Sequence, residues 1–192
     1  MALKAIIFDC FGVLIKAGKM ALYNRFPDKV DQLSRLERDS DMGKISRIDF
    51  LEAVAKLTGL DSDEIADRYY FADKRGYNQS AIDWARQIKK DGQYKVGLLS
   101  NVGRGWLDHF LSDIEDNTLF DAEILSGEVG LIKPDPKVFK LMAKKLGLRP
   151  EECLMIDDLA PNIKGAKQAG MLGIIFESTK QAQLELAKIT KK

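Results

Sequence analysis

The chain has 192 residues, of which 45% are hydrophobic and 31% are charged. These fractions exclude disordered, collagen-like and coiled-coil proteins, and the length fits one domain or one domain with a modest insertion. The 30 basic and 29 acidic side chains leave a formal net charge of +1. Neither a nucleic acid nor an anionic membrane is therefore expected as a partner.

Cysteine use and hydropathy predict the cellular compartment. No run approaches the ~18 apolar residues of a membrane helix. The segment MALKAIIFDC is too short before its aspartate to be a secretory signal. The two cysteines, Cys10 and Cys153, form neither a CxxC pair nor a disulfide framework. We expect a soluble, reduced, cytoplasmic protein that is a monomer or a weak homo-oligomer.

Five short apolar runs predict buried parallel strands, because they are near-continuous rather than alternating. They cover residues 3–8, 94–99, 121–125, 153–156 and 172–176.

Helical signals follow the first of these strands. Ser46 and Asp49 have the spacing of a capping box, and apolar side chains follow at helical spacing until Gly59. Ser62 is expected to begin another helix, which reaches Tyr70.

About ninety residues separate the first predicted strand from the second. A crossover between parallel strands needs only one helix, so the surplus predicts an insertion. We expect residues 16–78 to form a small helical cap over the carboxyl edge of the sheet. Residues 1–15 and 79–192 would then form the core domain.

Helices also separate the later strands. Asp135 is a plausible N-cap with Pro136 at the first helical position, and Gly147 is expected to end that helix. Pro161 is expected to open a second helix, which ends at Gly170. This alternation predicts an α/β fold with a doubly wound, Rossmann-like parallel sheet.

Polar residues with complementary chemistry follow the predicted strands at their carboxyl ends, where open parallel sheets bind ligands. They are Asp9, Ser100, Asn101, Lys133, Asp157 and Asp158.

This set of side chains suits a phosphoryl group and a divalent cation. Three neighbouring carboxylates repel one another unless a cation neutralises them. Oxygen ligands without a His or Cys cluster favour Mg²⁺ over zinc. A hydroxyl and an ammonium group suit phosphoryl oxygens, and an aspartate with a free oxygen is a candidate nucleophile.

Four motifs in order resemble those of the haloacid dehalogenase (HAD) superfamily, subfamily IA. AIIFDCFGVLI at 5–15 is similar to the first motif, LLSN at 98–101 to the second, and Lys133-Pro134 to the third. MIDDLAPNIKGA at 155–166 resembles the fourth motif in its DD form. Within this superfamily the chain most resembles small bacterial phosphatases that act on glucose-1-phosphate.

The resemblance implies a role for each matching position. Asp9 matches the nucleophile, which is also a metal ligand. The substrate-binding positions are Ser100, which matches the phosphate-binding hydroxyl, Asn101 beside it, and Lys133, which matches the lysine that pairs with the nucleophile and phosphate. The metal positions are Asp158, Asp157 as a second or water-mediated ligand, and the backbone carbonyl of Phe11. Asn162 is expected to support the fourth-motif loop.

Phe11 is a departure from the family pattern. Phosphatases of this superfamily usually carry a second aspartate there, which protonates the leaving oxygen. Phenylalanine lacks that proton, and losing a general acid typically costs ~10²–10⁴-fold in rate. The backbone carbonyl survives the change, so the expected metal site is retained.

Three functional hypotheses follow from this pattern. The first is a Mg²⁺-dependent phosphatase of a small phosphorylated metabolite, with sugar phosphates as candidate substrates and an aspartyl-phosphate intermediate on Asp9. The second is a weakly active or inactive protein that binds phosphate and metal. The third is a 2-haloacid dehalogenase, against which the acid pair Asp157-Asp158 argues, because that reaction uses no metal.

Overall fold

The computed structural model describes residues 2–16, 20–66, 76–108 and 118–191. All five predicted strands are confirmed, with ends that differ by one or two residues. The strands are β1 (Ala5–Phe8), β2 (Lys95–Ser100), β3 (Ala122–Leu125), β4 (Cys153–Asp157) and β5 (Leu172–Ile175).

Nine helices and two short 3₁₀ turns lie in the described ranges. The helices are α1 (Met20–Arg25), α2 (Val30–Asp41), α3 (Arg47–Thr58), α4 (Ser62–Ile65), α5 (Gln79–Asp91), α6 (Ser126–Val129), α7 (Pro136–Lys145), α8 (Ala160–Gln168) and α9 (Thr179–Thr190). The 3₁₀ turns are Pro27–Lys29 and Pro150–Glu152.

The five strands form one parallel sheet in the order β3-β2-β1-β4-β5. The chain starts in the central strand, builds two strands to one side, and then crosses to the other side of β1. This reversal of direction creates a crevice at the carboxyl ends of the central strands, where ligands bind in sheets of this kind. The predicted fold class is therefore confirmed.

The central strand β1 is buried on both faces. Ile6 and Phe8 belong to one hydrophobic cluster and Ala5 and Ile7 to another, as the two-residue period of a strand requires. Helices α5 and α9 contribute side chains to the first cluster, whereas α7 and α8 contribute to the second. Buried residues of α2 and α3 also belong to the first cluster.

The predicted helix starts at Ser46 and Asp135, and the predicted helix end at Gly147, are confirmed. The Asp135 side chain accepts a hydrogen bond from the Lys137 amide at 2.9 Å, and Gly147 follows the helix with a φ of 71°. Ser46 and Asp49 form the reciprocal capping box of α3. These local bonds satisfy backbone groups that a helix end leaves without partners.

Helix α4 begins at Ser62, as predicted, but its N-cap is Asp61, whose carboxylate accepts from two backbone amides. The predicted continuation to Tyr70 lies outside the described residues. None of the helices in the described ranges is long and apolar enough to cross a membrane.

Candidate active site

The fold gathers the predicted site residues at one edge of the sheet. Asp9 follows β1, Ser100 ends β2, and Asp157 ends β4. Because β1 lies between β2 and β4, these three positions are neighbours. Lys133 reaches the same edge from the loop between α6 and α7.

Asp9 is held by two donors and is only 5% exposed. Its Oδ1 atom accepts from the backbone N–H of Cys10 at 2.6 Å. The same oxygen lies 2.8 Å from the Lys133 ammonium nitrogen. Both donors contact one oxygen, which fixes the orientation of the carboxylate.

Lys133 is buried and bridges two carboxylates. Its Nζ atom lies 2.8 Å from Asp9 Oδ1 and 2.7 Å from Asp157 Oδ2. It also donates a hydrogen bond to the Leu99 carbonyl at 3.0 Å. Burying a charged group requires such partners, and here three oxygens surround one ammonium group.

Asn101 anchors the backbone of Lys133. Its Oδ1 accepts from the Lys133 N–H at 2.8 Å, and its Nδ2 donates to the Lys133 carbonyl at 2.9 Å. An amide side chain can satisfy a backbone donor and acceptor together. Asn101 therefore connects the end of β2 to the loop that delivers the lysine.

Asp157 is fully buried, and both of its oxygens are hydrogen-bonded. Besides Lys133, the amide of Asn162 donates to Oδ1 at 2.9 Å and to Oδ2 at 3.0 Å. The backbone N–H of Leu159 donates to Oδ1 at 2.9 Å. These contacts make Asp157 a fixed support for Lys133 and for the start of α8.

Asp158 completes an acidic cluster. Oxygen atoms of Asp9, Asp157 and Asp158 all lie within 4.8 Å of one another. Asp158 is half-buried and packs against Gly12. A donor set made only of carboxylate oxygens fits a hard cation such as Mg²⁺.

Ser100 differs from its neighbours in having an unsatisfied side chain. Its Oγ atom is buried and has no hydrogen-bond partner among the described residues. A buried hydroxyl without a partner is costly, so an oxygen-rich ligand at this edge would gain a donor there.

The pKa values of Asp9 and Lys133 are shifted by burial and by the neighbouring charges. Burial raises the pKa of Asp9 to about 8, an effect that the Lys133 charge opposes and the Asp157 charge reinforces. Burial alone would lower the pKa of Lys133, but the two carboxylates outweigh it and raise that pKa. Lys133 therefore remains charged, and a cation bound beside Asp9 would favour the ionised form of that carboxylate.

Residues 10 and 11 carry no acid or nucleophile. Burial raises the pKa of the Cys10 thiol well above its ordinary value, so the thiol stays protonated and packs in the core. The backbone of Phe11 forms an isolated β-bridge with Ile15. The half-buried Phe11 ring packs against the larger hydrophobic cluster.

Two contacts could not be predicted from the motifs alone. The sequence places Asn101 beside Ser100, and the structure adds two hydrogen bonds between the Asn101 amide and the Lys133 backbone. Asn162 was expected to support its loop, and it does so through the carboxylate of Asp157. In the sequence, only the position of Asn101 after a predicted strand pointed to its contact with the Lys133 backbone.

Comparisons with known proteins identify the family of the chain. A family model for haloacid dehalogenase-like hydrolases matches residues 3–170. Bifunctional epoxide hydrolase 2 from Rattus norvegicus is 33% identical over 125 residues, which are 60% of this chain and 22% of that protein. Glyceraldehyde 3-phosphate phosphatase from Pyrococcus furiosus is 34% identical over 103 residues, 52% of this chain and 42% of that protein.

The chain spans between 22% and 39% of the length of the first four curated relatives. Among solved structures, the HAD family enzyme BT-2542 from Bacteroides thetaiotaomicron, in complex with magnesium and inorganic phosphate, is similar with a TM-score of 0.74. The identity is 20%, and the match covers 90% of this chain and 93% of that chain. This similarity shows that the two chains share a fold.

Proposed function

Because the chain belongs to the haloacid dehalogenase-like hydrolases, we propose that it is a Mg²⁺-dependent phosphatase of small phosphate esters, sugar phosphates among them. The observation that carries the proposal is the buried pair of Asp9 and Lys133 beside the acidic cluster. The unsatisfied hydroxyl of Ser100 at the same edge supports it, since a phosphoryl oxygen would accept that hydrogen bond.

The comparisons give further support for this class of reaction. One relative is a glyceraldehyde 3-phosphate phosphatase, and BT-2542 was crystallised with magnesium and inorganic phosphate. The expected partner is therefore a small phosphorylated metabolite.

The carboxylates of Asp9 and Asp158 would hold the metal together with the backbone carbonyl of Phe11. Asp157 would be a second or water-mediated ligand, and its Oδ2 also accepts a hydrogen bond from Lys133. When bound, Mg²⁺ would neutralise the carboxylates and polarise phosphoryl oxygens.

The reaction begins with nucleophilic attack by Asp9. The Cys10 N–H and Lys133 both contact Oδ1, so Oδ2 is the attacking oxygen. Oδ2 forms a bond to phosphorus while the ester P–O bond breaks, and the leaving oxygen keeps the electron pair and takes a proton from solvent. Lys133 and Ser100 hold phosphoryl oxygens during the transfer.

A water molecule then attacks the phosphorus of the aspartyl-phosphate. The Asp9–phosphorus bond breaks, the water loses a proton to solvent, and inorganic phosphate leaves. The ammonium group of Lys133 stabilises the Asp9 carboxylate that is regenerated.

Residues 16–78 are proposed to be a cap that selects the substrate, over a core of residues 1–15 and 79–192. In this arrangement, substitutions on the helices α1–α4 would change the order of preference among substrates. Substitutions at Asp9 would abolish hydrolysis of every substrate.

A panel of phosphate esters tests the proposal. The full chain is assayed with an aryl phosphate, sugar-1-phosphates and sugar-6-phosphates, each with Mg²⁺ and with chelator, and with 2-chloropropionate. Phosphate release that requires Mg²⁺ is expected. Halide release in chelator would indicate a dehalogenase, and phosphate binding without turnover would indicate an inactive binding protein.

A further inference from the structure

Two chain segments join the inserted helices to the sheet, and they are hydrogen-bonded to each other. The Lys16 N–H donates to the Gly76 carbonyl at 3.2 Å, and the Asn78 N–H donates to the Leu14 carbonyl at 2.8 Å. Between these bonds, Ile15 and Tyr77 form an antiparallel bridge. The outgoing and returning segments therefore form a short two-stranded ribbon.

The outgoing segment begins as a tight turn directly after Asp9, which we call the 10–15 turn. The carbonyl of Cys10 accepts from the backbone N–H groups of Leu14 and Ile15 at 2.8 and 2.9 Å. The N–H of Gly12 donates to the Ile15 carbonyl at 2.7 Å. These backbone bonds define the shape of the turn.

The 10–15 turn also contacts the carboxylates of Asp9 and Asp158, which are proposed to bind the metal. The N–H of Cys10 donates to Asp9 Oδ1. Gly12 lies so close to Asp158 that a Cβ atom there would be 2.7 Å from Oδ1 of that carboxylate. A displacement of the turn would therefore change the positions of Asp9 and Asp158 relative to each other.

Asn78 connects the returning segment to this turn through its side chain. Its Nδ2 donates to the Val13 carbonyl at 2.8 Å, and its Oδ1 accepts from the Ser80 hydroxyl at 2.9 Å. Ser80 is in turn 2.8 Å from the hydroxyl of Thr179, the first residue of α9. The Ser80 contact orients the amide so that its NH₂ group faces Val13.

This use of Asn78 departs from the ordinary behaviour of its position. Asn78 is the N-cap residue of α5, where the asparagine side chain usually accepts a hydrogen bond from a backbone N–H of the first helical turn. Its side chain makes no such cap here, within the part of the chain that the structure describes. A local rule broken in this way points to another use of the side chain.

We propose that Asn78 is a positioning residue for the site: its amide holds the 10–15 turn so that Asp9 and Asp158 face one metal ion. The inference rests on the proposed function, because it concerns the same site. It is carried by the chain of contacts from Thr179 through Ser80 and Asn78 to Val13.

Two substitutions test this role. Asn78→Asp keeps the size and the acceptor but replaces the donor with an oxygen that repels the Val13 carbonyl. Asn78→Ser removes the contact without adding charge and serves if the first variant fails to fold. The control is Asp121→Ala, at the opposite edge of the sheet, which loses a hydrogen bond from Val96 N–H and an ion pair with Lys89.

Three quantities are measured for the full chain: kcat with an aryl phosphate, the Mg²⁺ concentration for half-maximal activity, and the increase in Tm caused by Mg²⁺. We expect the Asn78 variants to lower kcat, or raise the Mg²⁺ requirement, by about 10-fold, as outer partners of metal sites do. Their Mg²⁺-induced increase in Tm should shrink. Asp121→Ala should lower Tm without changing kcat or the Mg²⁺ response.

Wild-type kcat and a wild-type Mg²⁺ response in both Asn78 variants would overturn this role while leaving the proposed function intact. Effects no different from those of Asp121→Ala would overturn it as well. If the wild type has no phosphatase activity, the proposed function fails, and the Mg²⁺-induced change in Tm still decides the role of Asn78. A wild type whose Tm does not respond to Mg²⁺ would overturn this role, and the Mg²⁺ requirement of phosphate release would still decide the proposed function.

Discussion

Gly12 packs directly against the carboxylate of Asp158. A Cβ atom added to Gly12 would overlap Asp158 Oδ2, and Gly12 has a φ of 89°, in the left-handed region. Glycine meets both demands at this position, since it lacks a Cβ and adopts positive φ without strain. The turn after β1 and the acid after β4 therefore fit together only with a glycine here.

We expect Gly12→Ala to raise the Mg²⁺ concentration needed for activity, because the added methyl group displaces Asp158. The matched control is Gly59→Ala, since Gly59 has a φ of 73° but open space around its Cβ position. Both variants should lose roughly 1–2 kcal/mol of stability from the left-handed backbone. Only the first should change the Mg²⁺ requirement. If the two variants needed the same Mg²⁺ concentration for activity, the contact between Gly12 and Asp158 would not determine metal binding.

Asp157 and Asp158 should respond differently to alanine. Asp157→Ala removes a buried partner of Lys133, so we expect the free energy of unfolding to fall by about 3 kcal/mol. Asp158→Ala removes a half-buried carboxylate and should raise the Mg²⁺ requirement by at least about 10-fold with a smaller loss of stability. Denaturant unfolding and Mg²⁺ titration of activity measure the two effects. If Asp158→Ala lost more stability than Asp157→Ala, the Lys133–Asp157 ion pair would not stabilise the fold as proposed.

The raised pKa of Asp9 predicts how Mg²⁺ binding depends on pH. The pKa is 3.8 for an ordinary aspartate and about 8 in the metal-free fold, so between these values the folded chain binds the extra proton. The stability of the metal-free protein should therefore fall as pH rises through this window. Mg²⁺ must displace that proton, so its stabilising effect should grow from about pH 6 to about pH 8. The measurement is Tm with Mg²⁺ and with chelator at each pH, and Asp9→Asn should remove the trend. An Mg²⁺ effect that is independent of pH in the wild type would contradict this prediction.

Phe11 predicts a steep dependence of rate on the leaving group. Without an acid at this position, a substrate whose leaving oxygen is weakly basic should react faster, so sugar-1-phosphates should be hydrolysed better than sugar-6-phosphates. Phe11→Asp should accelerate poor leaving groups by up to ~10²-fold relative to Phe11→Asn, and good leaving groups much less. Phe11→Asn is the control because it loses the same ring packing and supplies no acid. Equal rates for all leaving groups in the wild type, with chemistry limiting, would mean that another group supplies the proton.

Much of the fold could be predicted from local signals. Near-continuous apolar runs located all five strands, and the capping side chains of Ser46 and Asp135 located two helix starts. These features depend on neighbours in the sequence, which is why patterns reveal them. The convergence of Asp9, Ser100 and Asp157 also followed, because parallel strands bring their carboxyl ends to one edge.

The partners within the site could not be predicted in the same way. The bonds from Asn101 to the Lys133 backbone, and from Asn162 to Asp157, depend on loop geometry that no local pattern encodes. The same is true of the bond from Asn78 to Val13, because an asparagine just before a helix usually bonds to a backbone N–H of the first helical turn instead. Asparagine side chains can bond in many directions, so their partners are settled only by tertiary packing.

Trapping the phosphoryl group on the protein tests most directly whether Asp9 attacks phosphorus. Wild-type protein is mixed with an aryl phosphate and Mg²⁺, quenched in acid within one turnover, digested, and analysed by mass spectrometry. We predict that the peptide containing Asp9 gains the mass of one phosphoryl group. Asp9→Asn should show no such peptide, retain less than a few per cent of the activity, and keep its fold by circular dichroism. A phosphoryl group on another residue, or an Asp9→Asn variant that turns over at the wild-type rate without deamidation, would contradict nucleophilic attack by Asp9.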